Sequence, residues 1–252
     1  MTETTTEPVG LPAGAVLPDT ALVTGANRGL GAEVARQLAE LGTTVFLGSR
    51  DRSRGEEAAR SMEGDVHVVQ LDVTDDDSVE AAATEVADLV DHLDVLVNNA
   101  GGNFDFAHPV LGCDVALVSE IVDANCFGAM RCVNAFLELI RASRAGRIVN
   151  VTSEAGSHGG AMGLPTQKDN LAGYAIAKAA QNAYTRKLAS ALEDTPILVN
   201  AISPGFVATQ PGTEDMGGRP VPDGAASIVW GATLPIGGPT GGFFRDGQPV
   251  EF

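Results

Sequence analysis

Ala21-Leu22-Val23-Thr24-Gly25-Ala26-Asn27-Arg28-Gly29-Leu30-Gly31 joins a short apolar run to a glycine turn, and an Ala/Leu/Glu-rich stretch follows. The run reads as a buried strand, with a helix opening at Gly29. Glycines let a backbone approach a pyrophosphate, and a helix N-terminus offers free N–H groups and a positive dipole end. Read alone, this turn fits a dinucleotide site and equally a tight structural βα turn. Its spacing, Gly25, Gly29, Gly31, departs from the GxGxxG fingerprint. The surrounding chain decides between the two.

Outward from that turn, β-branched runs alternate with longer Ala/Leu/Glu segments. The runs are Ala21–Thr24, Thr44–Leu47, Val66–Leu71, Val95–Val97, Arg147–Val151 and Ile197–Ala201. Helical stretches fall near 29–41, 53–62, 76–92, 114–143 and 173–193, with a last short helix near 222–233 and a strand near 242–246. Such alternation implies βαβ units and a parallel sheet of about seven strands with helices on both faces. No internal repeat or linker divides the chain. It reads as a Thr/Pro/Gly leader over 1–18 and one domain over 19–252. The Gly/Pro-rich stretches 154–173 and 204–222 are long irregular segments, and in compact domains such loops are usually functional.

Composition narrows the function classes. A chain of 252 residues with 44% hydrophobic and 19% charged residues can bury one sizeable core. Thirty glycines suit a fold with many βα turns. The net charge of −17 disfavours nucleic acid or an anionic membrane as partner. Three lysines against thirteen arginines suggest codon bias as the source of that charge. Cys113, Cys126 and Cys132 show no metal-ligand spacing, and their odd number points to a reducing compartment. With no signal-peptide pattern in the leader and no apolar run long enough for a bilayer, the expectation is a cytoplasmic protein.

Two places carry chemistry. About twenty residues past the glycine turn, where an acidic side chain would take a ribose 2′-OH, the strand tip reads Gly48-Ser49-Arg50-Asp51. Arg50 with Arg28 would clamp a 2′-phosphate and favour NADP(H). A register shifted by one residue would instead promote Asp51 and favour NAD(H). Further on, Tyr174 and Lys178 lie four apart on one helical face. A phenol with a solution pKa near ~10 is a poor acid or base at neutral pH, and a neighbouring ammonium lowers it. Ser153 ends a strand at the sheet's carboxyl edge, where open α/β sheets hold ligands. Asn125 sits in a helical stretch where asparagine is mildly unfavourable, which fits either a function or a kink held by a backbone bond.

Six motifs in order make the chain similar to the short-chain dehydrogenase/reductase family, in its single-domain branch. They are Thr24–Gly31, Leu71-Asp72-Val73, Asn98-Asn99-Ala100-Gly101, Asn125, Ser153 with Tyr174-x-x-x-Lys178, and Pro204-Gly205-Phe206-Val207-Ala208-Thr209. The resemblance spans roughly residues 19–252, and the tail Gly238–Gly247 resembles carbonyl-reductase-like members. It implies a doubly wound Rossmann-type fold and an NADP(H)-dependent oxidoreductase acting on a ketone or aldehyde. Cofactor contacts would come from Gly25, Asn27, Arg28, Gly29, Leu30, Gly31, Ser49 and Arg50. Asp72 would take the adenine amino group, with Val73 on the ring. Asn99, beside Ala100 and Gly101, would support the central ribose. Pro204 and Gly205 would shape a loop whose Val207 and Thr209 grip the carboxamide. Tyr174 would be the general acid, Lys178 would bind the nicotinamide ribose, Ser153 would hold the carbonyl oxygen, and Asn125 a water leading to Lys178.

The segment between Ser153 and Tyr174 is about eight residues longer than in typical members. In carbonyl-reductase-like relatives such a segment covers the oligomerisation face, which favours a monomer over a dimer or tetramer. Pocket walls are expected from Phe104, His108, Glu154, His158, Phe206 and Met216. Several of these are apolar, which suits a medium-sized hydrophobic or alicyclic carbonyl. A nucleotide-sensing relative without turnover would usually lack the tyrosine or lysine. An epimerase-type enzyme needs a C-terminal substrate domain that some forty residues after Thr209 cannot build.

Overall fold

The structure is a computed structural model that describes residues 10–102, 109–160, 162–166 and 170–252. Seven parallel strands run in the order β3-β2-β1-β4-β5-β6-β7: β1 (Thr20–Val23), β2 (Thr44–Ser49), β3 (Val66–Gln70), β4 (Val95–Asn98), β5 (Arg147–Val151), β6 (Leu198–Ile202) and β7 (Phe243–Arg245). An eighth, β8 (Gln248–Pro249), pairs antiparallel with β7. The sheet thus has one strand more than the seven expected, because the tail turns back after Asp246-Gly247.

Strand order reverses between β1 and β4, whose residues Leu22 and Leu96 are in register. That reversal opens a crevice at the carboxyl edge. The strands are buried on both faces, so they read as continuous apolar runs rather than alternating ones. Ala21, Val23, Val45, Val95 and Val97 pack against Val34, Leu38, Ile228 and Val229 of α1 (Gly29–Glu40) and α7 (Val221–Ala232). Leu22, Phe46, Leu96 and Ile148 face the other way. They meet Val79, Val86, Phe136 and Ile140 of α3 (Asp76–Ala87) and α5 (Gly128–Ala142).

α2 (Arg52–Ala59), α4 (Val115–Val122) and α6 (Ala172–Ala191) complete the layers. Most boundaries fall within a residue or two of the sequence expectation, the normal latitude of helix and strand ends, and the third helix stops five residues early. The long helix expected over 114–143 is interrupted. Asp123–Phe127 forms a π-turn, and the Gly128 N–H bonds back to Asp123 O, five residues away. The leader's last part is tied down: Val16 N–H donates to Thr233 O at 3.1 Å and Thr43 Oγ1 donates to Pro18 O at 2.9 Å. Among the described residues, no helix is long and apolar enough to cross a membrane.

Candidate active site

Every strand from β1 to β6 delivers a motif to the same carboxyl edge. After β1 the glycine turn is held from below by Asn99, whose Nδ2 donates to Thr24 O at 2.8 Å and Gly25 O at 3.3 Å. Thr24 Oγ1 accepts from Asn99 N at 3.0 Å and Ala100 N at 2.8 Å, binding the turn to the end of β4. Asn99 therefore supports the glycine turn itself. Two glycines are obligatory there. A Cβ on Gly25, whose φ is +65°, would meet Ala100 Cα at 2.9 Å, and a Cβ on Gly31 would meet Asn99 Nδ2 at 2.4 Å.

The turn opens α1 without any capping side chain: Arg28 is exposed and extended, and no acidic residue stands in the first turn. By contrast α2, α3 and α4 each begin under an aspartate, Asp51, Asp75 and Asp114, which accepts from two backbone N–H groups. Orphan N–H donors at an uncapped N-terminus beside close-packed glycines form an anion cradle. A nicotinamide dinucleotide's pyrophosphate fits this cradle. Asn27 and Leu30, both half-buried, lie on the same turn.

At the β2 tip, Arg50 follows the last strand residue and Asp51 stands at the N-cap of α2. Ser49 is the last strand residue and its Oγ donates to Asp51 O at 2.7 Å. Asp51 turns to cap α2, accepting from Ser53 Oγ at 2.6 Å, Arg54 N at 3.3 Å and Ser53 N at 3.0 Å, and these bonds, the Ser53 hydroxyl first, hold its carboxyl below the usual range. Arg50 is exposed and lines, with Asp72, Asp75 and Ser78, a cleft of about 530 Å³. Asp72 Oδ1 accepts from Thr74 N at 3.0 Å. Val73 is 7% exposed and packs on Gly128 at the start of α5.

On the other side of the crevice, Ser153 follows β5. Its hydroxyl accepts from Ala155 N at 3.1 Å, starting a 3₁₀ turn (Glu154–Gly156) that lies directly on α6. That turn is fixed by Asn182, whose Nδ2 donates to Gly156 O at 3.3 Å while its Oδ1 accepts from Thr152 Oγ1 at 2.7 Å. The same geometry hydrogen-bonds Ser153 to the Tyr174 phenol. Tyr174 is 8% exposed, and burial pushes it up to about 12 against the Ser153 bond, which lowers it. Lys178 lies over the tyrosine ring, its Nζ 5.6 Å from the centroid. Nζ donates to Val151 O at 2.9 Å and Gln181 Oε1 at 3.0 Å. Burial pushes this lysine down to about 7, opposed by Cys126. Lys178 is not among the groups that lower the phenol here, its Nζ being directed at Val151 O and Gln181 Oε1. Desolvation of both groups outweighs an ammonium that is directed elsewhere.

Asn125 is fully buried in the π-turn. Nδ2 donates to Ile121 O at 2.8 Å and Gly102 O at 3.2 Å, and Oδ1 accepts from Gly102 N at 3.2 Å. It clamps the segment after Asn99-Ala100-Gly101 to the helix, and a Cβ on Gly101 would meet its Oδ1 at 2.3 Å. The irregular turn and the backbone bond raised by the sequence thus occur together. Beyond β6, the buried Pro204 and the half-buried Gly205, φ +74°, lead into a loop where Val207 bridges Arg219. Thr209 Cγ2 would lie 3.9 Å from a Cβ on Gly29, so this loop closes over the glycine turn.

The pocket residues are less well gathered. Phe104 and His108 lie outside the described residues. Phe206 and Met216, 43% and 72% exposed, sit on the 206–219 loop. Glu154 is bound to Arg245 Nη1 at 2.7 Å and accepts from Ser203 Oγ at 3.3 Å, so its carboxylate ties β5 to β7. His158 does not face the crevice. It borders a cavity of about 150 Å³ on the outer side of α6 with Ala183, Arg186 and Phe252, because Gly156 passes close to the helix and sends the following residues over its far face.

Sequence reading also passed over a buried polar layer under the site. Asn98 Nδ2 donates to Asn150 Oδ1, Asn150 Nδ2 to Thr185 Oγ1, and Thr185 Oγ1 to Gln181 O, each at 2.9 Å. The signal was present: Tyr174, Lys178, Gln181 and Thr185 follow i, i+4, i+7, i+11, a polar stripe on the buried face of a helix.

The profile of the short chain dehydrogenase family matches residues 19–216. The chain belongs to this family. As a short-chain dehydrogenase it is an enzyme of the hydride-transferring oxidoreductases, using a nicotinamide cofactor and a small-molecule substrate. It is 33% identical to short-chain dehydrogenase/reductase 1 of Saponaria officinalis, over 92% of this chain and 95% of that protein. It is also 33% identical to (+)-neomenthol dehydrogenase of Arabidopsis thaliana, over 93% and 98%. Among solved structures it matches NADPH bound carbonyl reductase from chicken fatty liver with a TM-score of 0.81 and 26% identity, over 94% and 100%.

Proposed function

We propose that this short-chain dehydrogenase is an NADPH-dependent carbonyl reductase that also runs in reverse on a secondary alcohol. The reading rests on one observation: a buried phenol, Tyr174, hydrogen-bonded to Ser153 and stacked near Lys178, stands at the same sheet edge as an uncapped glycine cradle. When bound, the cofactor supplies hydride to the carbonyl carbon. Ser153 and Tyr174 meet the carbonyl oxygen from one side, and Tyr174 transfers its proton there as negative charge develops. Lys178 holds positive charge beside the phenolate that remains. Asn125 keeps the segment after β4 in place, and a water against it would return the proton.

The choice of NADP(H) is supported by the exposed guanidinium of Arg50 at the β2 tip and by Asp51 being occupied as a helix cap. The match to an NADPH-bound carbonyl reductase and the likeness to a neomenthol dehydrogenase support a medium-sized, apolar, alicyclic carbonyl. We read the chain as a monomer, since the C-terminal tail and residues 157–159 meet on the outer face of α6. Ser157 Oγ donates to Glu251 O at 2.6 Å, and Arg186 stacks on Phe252 at 5.3 Å.

The test is NADPH oxidation across a panel of cyclic ketones, aldehydes and quinones, with Tyr174→Phe beside the wild type. The wild type is expected to turn over at least one apolar ketone, with kcat in Tyr174→Phe lower by about 10²–10⁴-fold, the worth of general acid catalysis. Equal rates for both proteins would sink the assignment of Tyr174.

A further inference from the structure

Gln181 is fully buried on the inner face of α6, three residues after Lys178. Its Oε1 accepts from Lys178 Nζ at 3.0 Å, while its Nε2 has no hydrogen-bond partner among the described residues. A buried amide with an idle donor is unfavourable, and an apolar side chain of the same size would sit there more comfortably. The amide orientation is fixed by its neighbour, because turning it over would point Nε2 at an ammonium. Among the described residues, the only bond that anchors the Gln181 side chain is thus the one to Lys178. Val151 O and Gln181 Oε1 take two of the three ammonium donors and leave one for the site.

We propose that Gln181 is a positioning residue: its carbonyl oxygen holds the Lys178 ammonium in place and in its charged form beside Tyr174. The inference rests on the reductase reading for its catalytic consequence, though not for the bond itself. Lys178 is desolvated enough to lose its proton near neutrality. An acceptor on its charged form opposes that loss. The titratable groups facing the ammonium are Tyr174 on the same helix and Cys126 from the π-turn, whose thiol burial pushes up. Neither supplies a negative charge near pH 7, so Gln181 and Val151 O carry the stabilisation.

In ketone reduction the productive pair is a protonated tyrosine with a charged lysine, so the alkaline limb of kcat reports the first proton lost from the pair. Gln181→Met removes the acceptor at nearly constant volume. Its limb is expected to move to lower pH and its kcat at neutral pH to fall about tenfold or more, with KM near the wild-type value and a melting temperature no lower. Gln181→Glu keeps an acceptor and adds charge, so its limb moves to higher pH. Wild-type limbs in both variants, accompanied only by a lower melting temperature in Gln181→Met, would mean a merely structural glutamine. If Gln181→Met does not fold, the direction of the Gln181→Glu limb alone decides.

A second readout separates this inference from the reductase assignment. The chain has three lysines, so isotopic labelling of lysine gives three resolvable side-chain signals, with Lys178 assigned by its loss in Lys178→Met. In cofactor-free protein the Lys178 midpoint should order Gln181→Glu, wild type, Gln181→Met from high to low. That order sustains the role of Gln181 even if no carbonyl is turned over. Three equal midpoints overturn it whatever the substrate.

Discussion

Gly156→Ala places a Cβ 2.4 Å from Ala179 N and 2.4 Å from Lys178 C, both backbone atoms in the middle of α6. Ordinary contact begins at 3.4 Å, so one of the two backbones must retreat by roughly 1 Å. A helix core is stiff, and the three-residue turn Glu154–Gly156 is the part that gives. Its movement carries Ser153, which starts the turn through Ala155 N at 3.1 Å, away from Tyr174. Overpacking of this kind costs about 1–3 kcal/mol, or roughly 2–12 °C in melting temperature for a domain of this size. A displacement near 1 Å in a catalytic hydroxyl costs about 10²-fold in rate. The expected result is a folded protein with kcat down about 10²-fold and NADPH affinity within twofold of wild type, since the glycine cradle lies across the crevice. Calorimetry, steady-state kinetics and fluorescence titration of NADPH measure the three quantities. Wild-type kcat in a folded Gly156→Ala would refute the view that this close approach sets the Ser153–Tyr174 geometry.

Asn99→Ala removes the two bonds to Thr24 O and Gly25 O, and should lower stability by about 1–2 kcal/mol and weaken NADPH binding about tenfold; binding at wild-type strength would show that the turn keeps its shape unaided. Arg50→Asp should raise the NADPH dissociation constant at least tenfold while leaving NADH within twofold. Equal effects on both cofactors would remove the 2′-phosphate from the argument. Lys178→Met is expected to melt above wild type near pH 6, where the native protein must bury an ammonium. Folded Lys178 titrates near 7 and its unfolded reference at 10.5, so the unfolded chain binds the extra proton between these values and wild-type stability rises with pH there. The advantage of Lys178→Met should therefore shrink across that window; a constant difference in thermal melts from pH 6 to 10 would contradict the depressed lysine.

The sheet and most of the crevice were legible because strand ends coincide with changes of residue chemistry. Thr24-Gly25, Ser49-Arg50, Leu71-Asp72, Asn98-Asn99 and Thr152-Ser153 each mark the switch from an apolar run to a polar tip. Two things escaped. Arg50 and Asp51 are adjacent polar residues, and which of them caps α2 depends on where β2 ends, at Ser49, a limit set by its pairing with β3. The π-turn has no residue signature beyond one buried asparagine. His158 was misplaced because a loop's direction depends on Gly156 passing the helix at contact distance, and spacing alone cannot contain that. Glu154, expected to recognise substrate, carries an ion pair with Arg245 that only pairing of β6 with β7 brings within reach.

The π-turn also acts as a phase setter for everything that follows it. Its i to i+5 closure adds one residue to the winding between α4 and α5. Removing one residue from 123–127 would let the turn relax into a regular helix with the downstream phase unchanged, but removing one from Val115–Val122 with the turn kept would advance the downstream chain by about 100°. Val133, Asn134, Leu137 and Arg141 would then occupy the places of Cys132, Val133, Phe136 and Ile140. An amide and a guanidinium now in solvent would be driven against Leu96 and Ile148. Insertions and deletions are tolerated at loop tips, but α4 has an exact length, indexed by the sheet that the helix after it covers.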